Sequence, residues 1–245
     1  MDKRETNCYS EIAESIAIMQ PYFLPYMGYF HLIKAVDIFI IYDDVNYINK
    51  GYINRNSILV NQQPHKITLS LLGVSQNKLI NEIEIGNNAT KLLKTIEMAY
   101  KKAPFFNDIF LILNNIFSNK EKNLAKFIGH SLQVIAHSLG LKTNFLYSSE
   151  IEKNNALTAQ YKIIEICKKL SAKKYINAVG GQQLYDQATF KKENIDLFFI
   201  KSRLQPYKQF KNTFVPYLSI IDTMMFNDNF HILKMLEQYE LFSGC

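Results

Sequence analysis

The chain has 245 residues, of which 48% are hydrophobic and 20% are charged, with only 9 Gly and 6 Pro. This composition is typical of globular proteins and excludes collagen-like, low-complexity and intrinsically disordered chains. The net charge of +6 comes mainly from dispersed lysines. Because the sequence has no helix-turn-helix signature, no aromatic RNA-binding motif and no series of zinc ligands, we predict no nucleic-acid partner.

The cysteines and the N-terminal sequence predict a cytoplasmic protein. Cys8, Cys167 and Cys245 are odd in number and widely separated, which argues against a secreted disulfide framework. Residues 1–14 alternate charged and polar side chains and lack the apolar core of a signal peptide. The apolar run 38–42 is far shorter than the roughly 20 residues that a membrane-spanning helix needs. We therefore predict no membrane span.

The chain opens with the pattern of a βαβ unit. Residues 16–19 and 38–42 are apolar runs that predict buried strands, and the apolar segment 26–36 predicts a helix between them. Ligands of parallel sheets bind beyond the carboxyl ends of the strands. The polar residues that follow the two strands are Gln20, Asp43 and Asp44. They should share one edge of the sheet.

The middle of the chain predicts a β-hairpin followed by helices. Residues 57–60 and 66–71 flank a polar turn at 61–64, as the strands of a hairpin do. From about 88 to 140 apolar residues recur every three or four positions, and Gly140 supplies a left-handed stop. We interpret residues 88–140 as a helical insertion, which Pro104 should divide.

The last hundred residues return to alternating strands and helices. The predicted elements are strands at 145–147, 174–179 and 197–200, helices at 157–167 and 182–190, and a further helix that begins at Pro216. No internal repeat or Gly/Ser linker divides the chain. We therefore predict a single α/β domain over 1–245, with a mainly parallel sheet of Rossmann-like type, a β-hairpin and a helical insertion.

The segment from Gln20 to Phe30 is the first candidate for a binding loop. It combines prolines and aromatic residues between a strand and a helix. A rigid loop here would hold aromatic faces and an amide beside a helix N-terminus, a location that suits anions and sugar rings. Tyr22 and Tyr29 are the candidate binding residues. Alternatively, the aromatic side chains only fill the core.

Residues 43–56 form the densest polar and aromatic cluster in the sequence, and their candidate site residues are Asp43, Asp44, Tyr47, Lys50, Asn54 and Arg55. A carboxylate at a strand end can act as a general base, bind Mg²⁺ or accept hydrogen bonds from sugar hydroxyls. Lys50 and Arg55 can neutralise a phosphate. Alternatively, Asp43 caps the next turn and Lys50 is solvated. Two carboxylates without a third ligand make a weak metal signal, so we predict no metal site.

Two further features add candidates. Gly180, Gly181 and Gln182 follow a predicted strand, where glycines allow close backbone approach to a phosphate, although such pairs are common at ordinary turns. His31 lies on an otherwise apolar predicted helix with Lys34, so it should face something polar. The spacing of the histidines does not match a zinc site.

These motifs, taken together, resemble the WbqC-like proteins of bacteria. The resemblance extends from about residue 16 to 227 and is carried by Gln20-Pro21-x-x-Leu24-Pro25-x-x-Gly28-Tyr29-Phe30, Asp43-Asp44-Val45-x-Tyr47, Gly51-Tyr52-x-Asn54-Arg55, Gly180-Gly181 with Tyr185 and Phe190, Pro206-Tyr207-x-Gln209 and Leu218-Ser219-Ile220-Ile221-Asp222. Tyr26 and Tyr52 stand where many members have tryptophan. The resemblance implies that Tyr207 and Gln209 also contact substrate.

Such proteins tend to be encoded among genes for O-antigen, the lipopolysaccharide side chain, and other surface polysaccharides. The resemblance therefore implies an enzyme that acts on a nucleotide-linked sugar. Our hypothesis is a transferase that adds an acyl or aminoacyl group to the amine of such a sugar. Beyond that donor, ATP with Mg²⁺ is compatible with the sequence, as is a homodimer. The alternatives are a glycosyl- or nucleotidyltransferase with a metal at the Asp pair, and a non-catalytic sugar-nucleotide-binding protein.

The hypothesis gives each candidate a role. Asp43 or Asp44 would be the general base, Gln20 and Lys50 would polarise the reacting groups, and Arg55 would anchor the diphosphate, beside the stacking ring of Tyr22. Because adjacent residues of an extended chain point to opposite sides, at most one of the two aspartates should face the ligand.

Overall fold

The structure is a computed structural model that describes residues 14–211 and 213–243. The predictions that concern Cys8, Cys245 and the absence of a signal sequence within residues 1–13 lie outside the described residues. Cys167 is a free, buried thiol. Within the described ranges, no helix combines the length and the hydrophobicity that crossing a bilayer requires.

In chain order, the strands and helices are β1 (Ser15–Met19), α1 (Met27–Lys34), β2 (Ile38–Ile41), β3 (Arg55–Val60), β4 (Gln63–Thr68), β5 (Leu71–Leu72), β6 (Glu84–Ile85), α2 (Ala89–Tyr100), α3 (Phe106–Ser118), α4 (Leu124–Ser138), β7 (Asn144–Tyr147), α5 (Ala159–Lys169), β8 (Lys174–Ala178), α6 (Gln187–Lys192), β9 (Asp196–Ser202), α7 (Ile220–Phe226), α8 (Asn229–Met235) and β10 (Tyr239–Ser243). The chain is thus a mixed α/β protein, as predicted.

A six-stranded sheet in the order β10-β9-β8-β1-β2-β7 forms the centre of the fold. All neighbouring strands are parallel except β10, which pairs antiparallel with β9. Counted along the chain within this sheet, the strand order is 3-2-1-4-5-6, the order of the Rossmann fold. The chain first builds outward from β1 to β7 and then returns to the other side of β1. The switch in direction therefore lies between β1 and β8.

Both faces of the sheet are covered, which explains why its strands are nearly continuous apolar runs. On β2, Phe39 and Ile41 belong to the larger core, together with α1 and the helices α2 to α4. Ile40 points to the opposite face and packs in a second core with α5 and α6. The alternation of neighbouring side chains along a strand thus divides the apolar residues between two layers.

The predicted hairpin is present, but its turn is tighter than expected. Strands β3 and β4 pair antiparallel, with Val60 opposite Gln63. Asn61 and Gln62 form the turn with φ of +47° and +67°, the left-handed backbone that a two-residue turn between twisted strands requires. Gln63 and Pro64, predicted in the turn, therefore belong to β4.

The predicted helical segment contains α2, α3 and α4, with Pro104 between the first two and Gly140 at φ +74° after the third. The helix predicted to begin at Pro216 starts instead at Ile220. Its N-cap is Ser219, whose Oγ accepts a hydrogen bond from the Ile221 N–H at 3.3 Å. The helix begins after the serine because its side chain accepts a hydrogen bond from a free N–H of the first turn, which determined the helix start more strongly than Pro216 did.

Candidate functional site

A cleft of about 500 Å³ opens at the carboxyl ends of β1 and β8, where the strand order switches direction. Residues that follow β1, β2 and β8 contribute its walls. The lining residues are Ile18, Met19, Gln20, Tyr22, Tyr26, Gly28, Tyr29, Leu32, Tyr42, Ile48, Asn177, Ala178, Gly180, Gly181, Leu184 and Tyr185. We call this the switch-point cleft. Ligands of doubly wound sheets bind at this position.

Tyrosine side chains dominate the switch-point cleft. Those that line it are Tyr22, Tyr26, Tyr29, Tyr42 and Tyr185. The rings of Tyr22 and Tyr29 lie 5.5 Å apart, and the Tyr29 hydroxyl donates to the Gln20 carbonyl at 2.8 Å. Burial raises the pKa of all five tyrosines. The hydroxyls are therefore neutral at physiological pH. Because the single proton of the Tyr29 hydroxyl is directed to Gln20, hydrogen bonds from tyrosine to a ligand are left to the other four.

The first turn of α1 is shaped to hold an aromatic ring. A Cβ at Gly28 would lie 2.3 Å from the ring of Tyr26, so only glycine allows this ring to rest on the helix. Tyr26 also contacts the ring of Tyr217 at a centroid distance of 6.1 Å. The sequence motif that ends in Gly28 thus fixes one wall of the switch-point cleft.

The segment from Gln20 to Phe30 combines the two roles that the sequence left open. Phe23, Leu24 and Phe30 are fully buried in the core. Tyr22 and Tyr26 remain partly exposed and line the cleft. One short segment thus contains both core side chains and side chains that line the cleft.

The turn after β8 forms the opposite wall. Gly180 and Gly181 line the cleft, and Gln182 lies in the same turn but is not among the lining residues. Asn177, at the end of β8, is 5% exposed, and its Oδ1 accepts from the Ala178 N–H at 2.7 Å. A Cβ at Gly181 would lie 3.1 Å from the Asn177 amide nitrogen. Glycine therefore lets the turn approach the amide closely.

No Asp, Glu, Lys, Arg or His of the described residues lines the switch-point cleft. Asp43, predicted as a candidate base, is 1% exposed, and its carboxylate accepts from the Ser149 N–H at 2.9 Å and the Ser149 hydroxyl at 2.7 Å. The Asp43 side chain therefore does not line the switch-point cleft, and it does not cap the turn that follows it in the chain. The side chain instead ties the end of β2 to the turn after the neighbouring strand β7.

Asp44 belongs to a separate buried ion-pair cluster. Its Oδ2 lies 2.9 Å from Nζ of Lys153 and 3.0 Å from Nζ of Lys162, and the three side chains are 10%, 2% and 11% exposed. Burial raises the pKa of a carboxyl group, but the Ser148 hydroxyl and both ammonium groups outweigh it, so the pKa of Asp44 is lowered. A carboxylate held in this way is a weak base.

The Asp44 cluster lines a neighbouring cleft of about 650 Å³ at the ends of β2 and β7. The ring of Tyr42 stands between the two clefts, because it lines the switch-point cleft while Lys162 Nζ lies 5.4 Å from its centroid. Gln20, Asp43, Asp44 and Gly180 share one edge of the sheet, as predicted. The aspartates nevertheless do not contribute to the switch-point cleft.

The other candidates from residues 43–56 stabilise the loop after β2. The Tyr47 hydroxyl donates to Asn54 at 2.9 Å, and the Asn54 amide donates to the Leu69 carbonyl at 2.9 Å. Arg55 donates through Nε to the Gly51 carbonyl at 2.8 Å, whereas Lys50 is exposed with φ +63°. None of these four predicted site residues lines the switch-point cleft.

His31 is fully buried, and its Nε2 lies 2.9 Å from the Met235 carbonyl, to which it donates. Burial lowers the pKa of His31, so the ring is neutral at physiological pH. The sequence predicted that His31 faces a polar group, and that group is the backbone carbonyl of Met235 in α8. The residue joins two helices and is absent from the cleft lining.

Tyr207 and Gln209, implied by the resemblance as substrate contacts, bind a buried carboxylate instead. Asp222 is fully buried and accepts from the Tyr207 hydroxyl at 2.7 Å, the Gln209 amide at 2.6 Å and the Tyr100 hydroxyl at 2.7 Å. Burial raises the pKa of Asp222. Nearby, the Ser219 hydroxyl donates to the Leu24 carbonyl at 2.7 Å. The C-terminal motif therefore positions the loop that forms the cleft.

Sequence reasoning missed several lining residues, namely Tyr42, Ile48, Asn177, Leu184 and Tyr185. Tyr42 directly follows β2 beside Asp43, and Asn177 lies near the end of β8, three residues before Gly180, so their positions along the strands were a usable signal. Ile48 lies in a loop and Leu184 in the 3₁₀ turn after β8, and only the strand order shows that these segments meet.

The profile of the WbqC-like protein family matches residues 20–232. Among curated proteins, the uncharacterized protein Rv1507c of Mycobacterium tuberculosis is 29% identical over 219 residues, which cover 87% of this chain and 94% of that protein. No solved structure gives a significant match.

Proposed function

Because the chain belongs to the WbqC-like protein family, we propose that it binds a nucleotide-linked amino sugar in the switch-point cleft. We further propose that it transfers an acyl or aminoacyl group to the amine of that sugar during the synthesis of O-antigen or another surface polysaccharide. The observation that best supports this proposal is the tyrosine-lined cleft at the switch in strand direction.

The chemistry of the lining fits a sugar or a nucleoside. Aromatic faces offer apolar surface to the ring carbons of a sugar or to a base, while hydroxyl and amide groups bind the polar edges. The partly exposed rings of Tyr22 and Tyr26 supply such faces, and Gln20 and Asn177 supply amides. The first turn of α1, at Gly28, adds a helix N-terminus that favours the phosphate of the nucleotide.

In the proposed reaction, the amine nitrogen attacks the carbonyl carbon of an activated acyl donor such as a thioester. The new C–N bond forms, the bond to the leaving group breaks, and the proton of the amine passes to the departing thiolate. Neutral tyrosine hydroxyls or the Gln20 amide would donate hydrogen bonds to the oxyanion. Since none of the described lining residues carries a carboxylate, the proposed contribution of the protein is orientation and hydrogen bonding.

A non-catalytic sugar-nucleotide-binding protein is the second candidate, favoured because the cleft lining within residues 14–211 and 213–243 contains no charged side chain. The transferase alternative with a metal at the Asp pair is less favoured. The carboxylates of Asp43 and Asp44 already accept hydrogen bonds from Ser149, Lys153 and Lys162, and two ammonium groups oppose a divalent cation by charge repulsion.

The proposal is tested with purified protein and UDP- and dTDP-linked amino sugars, by calorimetry for binding and by product mass with thioester donors. Tyr22→Ala should weaken binding about fivefold or more, since stacking on an aromatic ring contributes roughly 1–3 kcal/mol. Tyr161→Ala, which removes a 56% exposed ring on α5 away from the cleft, is the matched control. Equal affinity in both variants would contradict the site. Binding without any mass change would favour the binding protein.

A further inference from the structure

The mouth of the switch-point cleft carries two exposed aliphatic side chains on different loops. Ile48 follows β2 and is 53% exposed, and Leu184 follows β8 and is 69% exposed. Both line the cleft, and β1 lies between their strands in the sheet. Single exposed aliphatic residues are ordinary on protein surfaces. Two that face one cleft from opposite sides form an apolar entrance.

The proposed reaction transfers either an acyl or an aminoacyl group, and the apolar entrance favours one of the two. An aminoacyl group carries an ammonium, which would lose water in the cleft and meet no carboxylate from the part of the chain that the structure describes. Such an unpaired charge is unfavourable. An alkyl chain would instead remove its own surface, and that of Ile48 and Leu184, from water.

We infer that the group attached to the sugar nitrogen is an apolar acyl chain longer than acetyl, held between Ile48 and Leu184. The inference rests on the proposed function, because it places the chain on a sugar bound in the same cleft. The tyrosine rings hold the sugar, and the aliphatic entrance selects the acyl group.

Calorimetry of the full chain with N-glycyl-, N-acetyl-, N-butanoyl- and N-hexanoylglucosamine tests the inference. The Kd should fall about two- to fourfold for each added methylene group, as expected for burial of hydrocarbon. N-glycylglucosamine, similar in size to the acetyl and butanoyl ligands but with an ammonium, should bind more weakly than N-acetylglucosamine. Tighter binding of the glycyl ligand, or a Kd that does not change with chain length, would overturn the inference.

Matched variants test where the acyl chain binds. Ile48→Asn combined with Leu184→Asn should remove the dependence of the Kd on acyl chain length. The double variant should still fold, because exposed side chains contribute little to folding. Leu111→Asn, at a 71% exposed leucine on α3, is the control and should keep the dependence. Persistence of the dependence in the double variant would overturn the assigned position.

The outcomes also separate this inference from the proposed function. If UDP-linked amino sugars bind but the acyl series is flat, the inference fails and the proposed function stands. If neither the nucleotide-linked sugars nor any N-acylglucosamine binds, both fail.

Discussion

The switch-point cleft and the Asp44 cluster occupy the same edge of the sheet but differ in chemistry. The cleft between β1 and β8 is open and lined by neutral aromatic and amide groups. The cluster at the ends of β2 and β7 holds one carboxylate and two ammonium groups that are almost completely buried. From the sequence, we predicted that the charged residues carry out the chemistry. In the structure, the Asp44 carboxylate is paired with Lys153 and Lys162 at the edge of the second cleft. The described residues that line the switch-point cleft are all uncharged.

The difference shows why conspicuous charges are a poor guide to a site in a single sequence. Asp44 binds Lys162, which lies far away in the sequence, so its neighbours along the chain do not reveal its partner. The tyrosines, by contrast, are candidates for core packing until the strand order brings their loops together. Four predictions test whether this division between a structural cluster and a binding cleft is correct.

Asp44→Asn should have the largest effect, because it leaves the ammonium groups of Lys153 and Lys162 close together without a counter-charge. Loss of one partner from a buried ion pair typically destabilises a protein by about 3–5 kcal/mol. Chemical unfolding of the wild type and variant measures this cost. A variant that keeps wild-type stability but loses turnover would identify Asp44 as catalytic and break the comparison.

The pH dependence of that cost sharpens the same test. The pKa of Asp44 is lowered from 3.8 in the folded protein, so its contribution to stability is present above pH 3.8 and is lost as the pH falls through the lower folded value. The difference in unfolding free energy between the wild type and Asp44→Asn should therefore be largest near neutral pH and shrink in acid. Unfolding curves from pH 7 to pH 3 provide the measurement. A difference that does not change with pH would rule out the ion pair as its source.

Gly28→Ala should have a moderate effect that centres on the cleft. The new Cβ would collide with the ring of Tyr26 at 2.3 Å, and overpacking of this kind typically costs about 1–3 kcal/mol. Thermal melts of Gly28→Ala, Tyr26→Ala and the double variant form a double-mutant cycle. The second substitution should recover most of the loss. Additive effects would show that the ring does not rest on Gly28.

Lys50→Ala should have the smallest effect. Lys50 is exposed and absent from the cleft lining, so stability should change by no more than about 0.5 kcal/mol. The affinity for a UDP-linked amino sugar, measured by calorimetry, should also be unchanged. A tenfold loss of affinity would restore the catalytic or phosphate-binding role that the sequence suggested.

The strands were predictable because their apolar runs reflect burial on both faces, as Phe39 and Ile40 illustrate. The shared edge of Gln20 and Gly180 followed from the rule for parallel strands. The entrance formed by Ile48 and Leu184 was not predictable, because it depends on which loops the strand order brings together. The role of Tyr207 was not predictable either, because its hydrogen bond to Asp222 depends on how the chain folds.

The position of β1 also determines when the cleft can exist. Ile16 pairs with Ile38 on one side, which closes a short stretch of chain, and with Tyr175 on the other, which closes most of it. Loop closure costs more entropy as the closed loop grows, so local pairings are favoured early in folding. The first βαβ unit can therefore assemble well before β8 joins the sheet. A ligand that binds at the switch point would therefore bind only after the last of these strand pairings has formed.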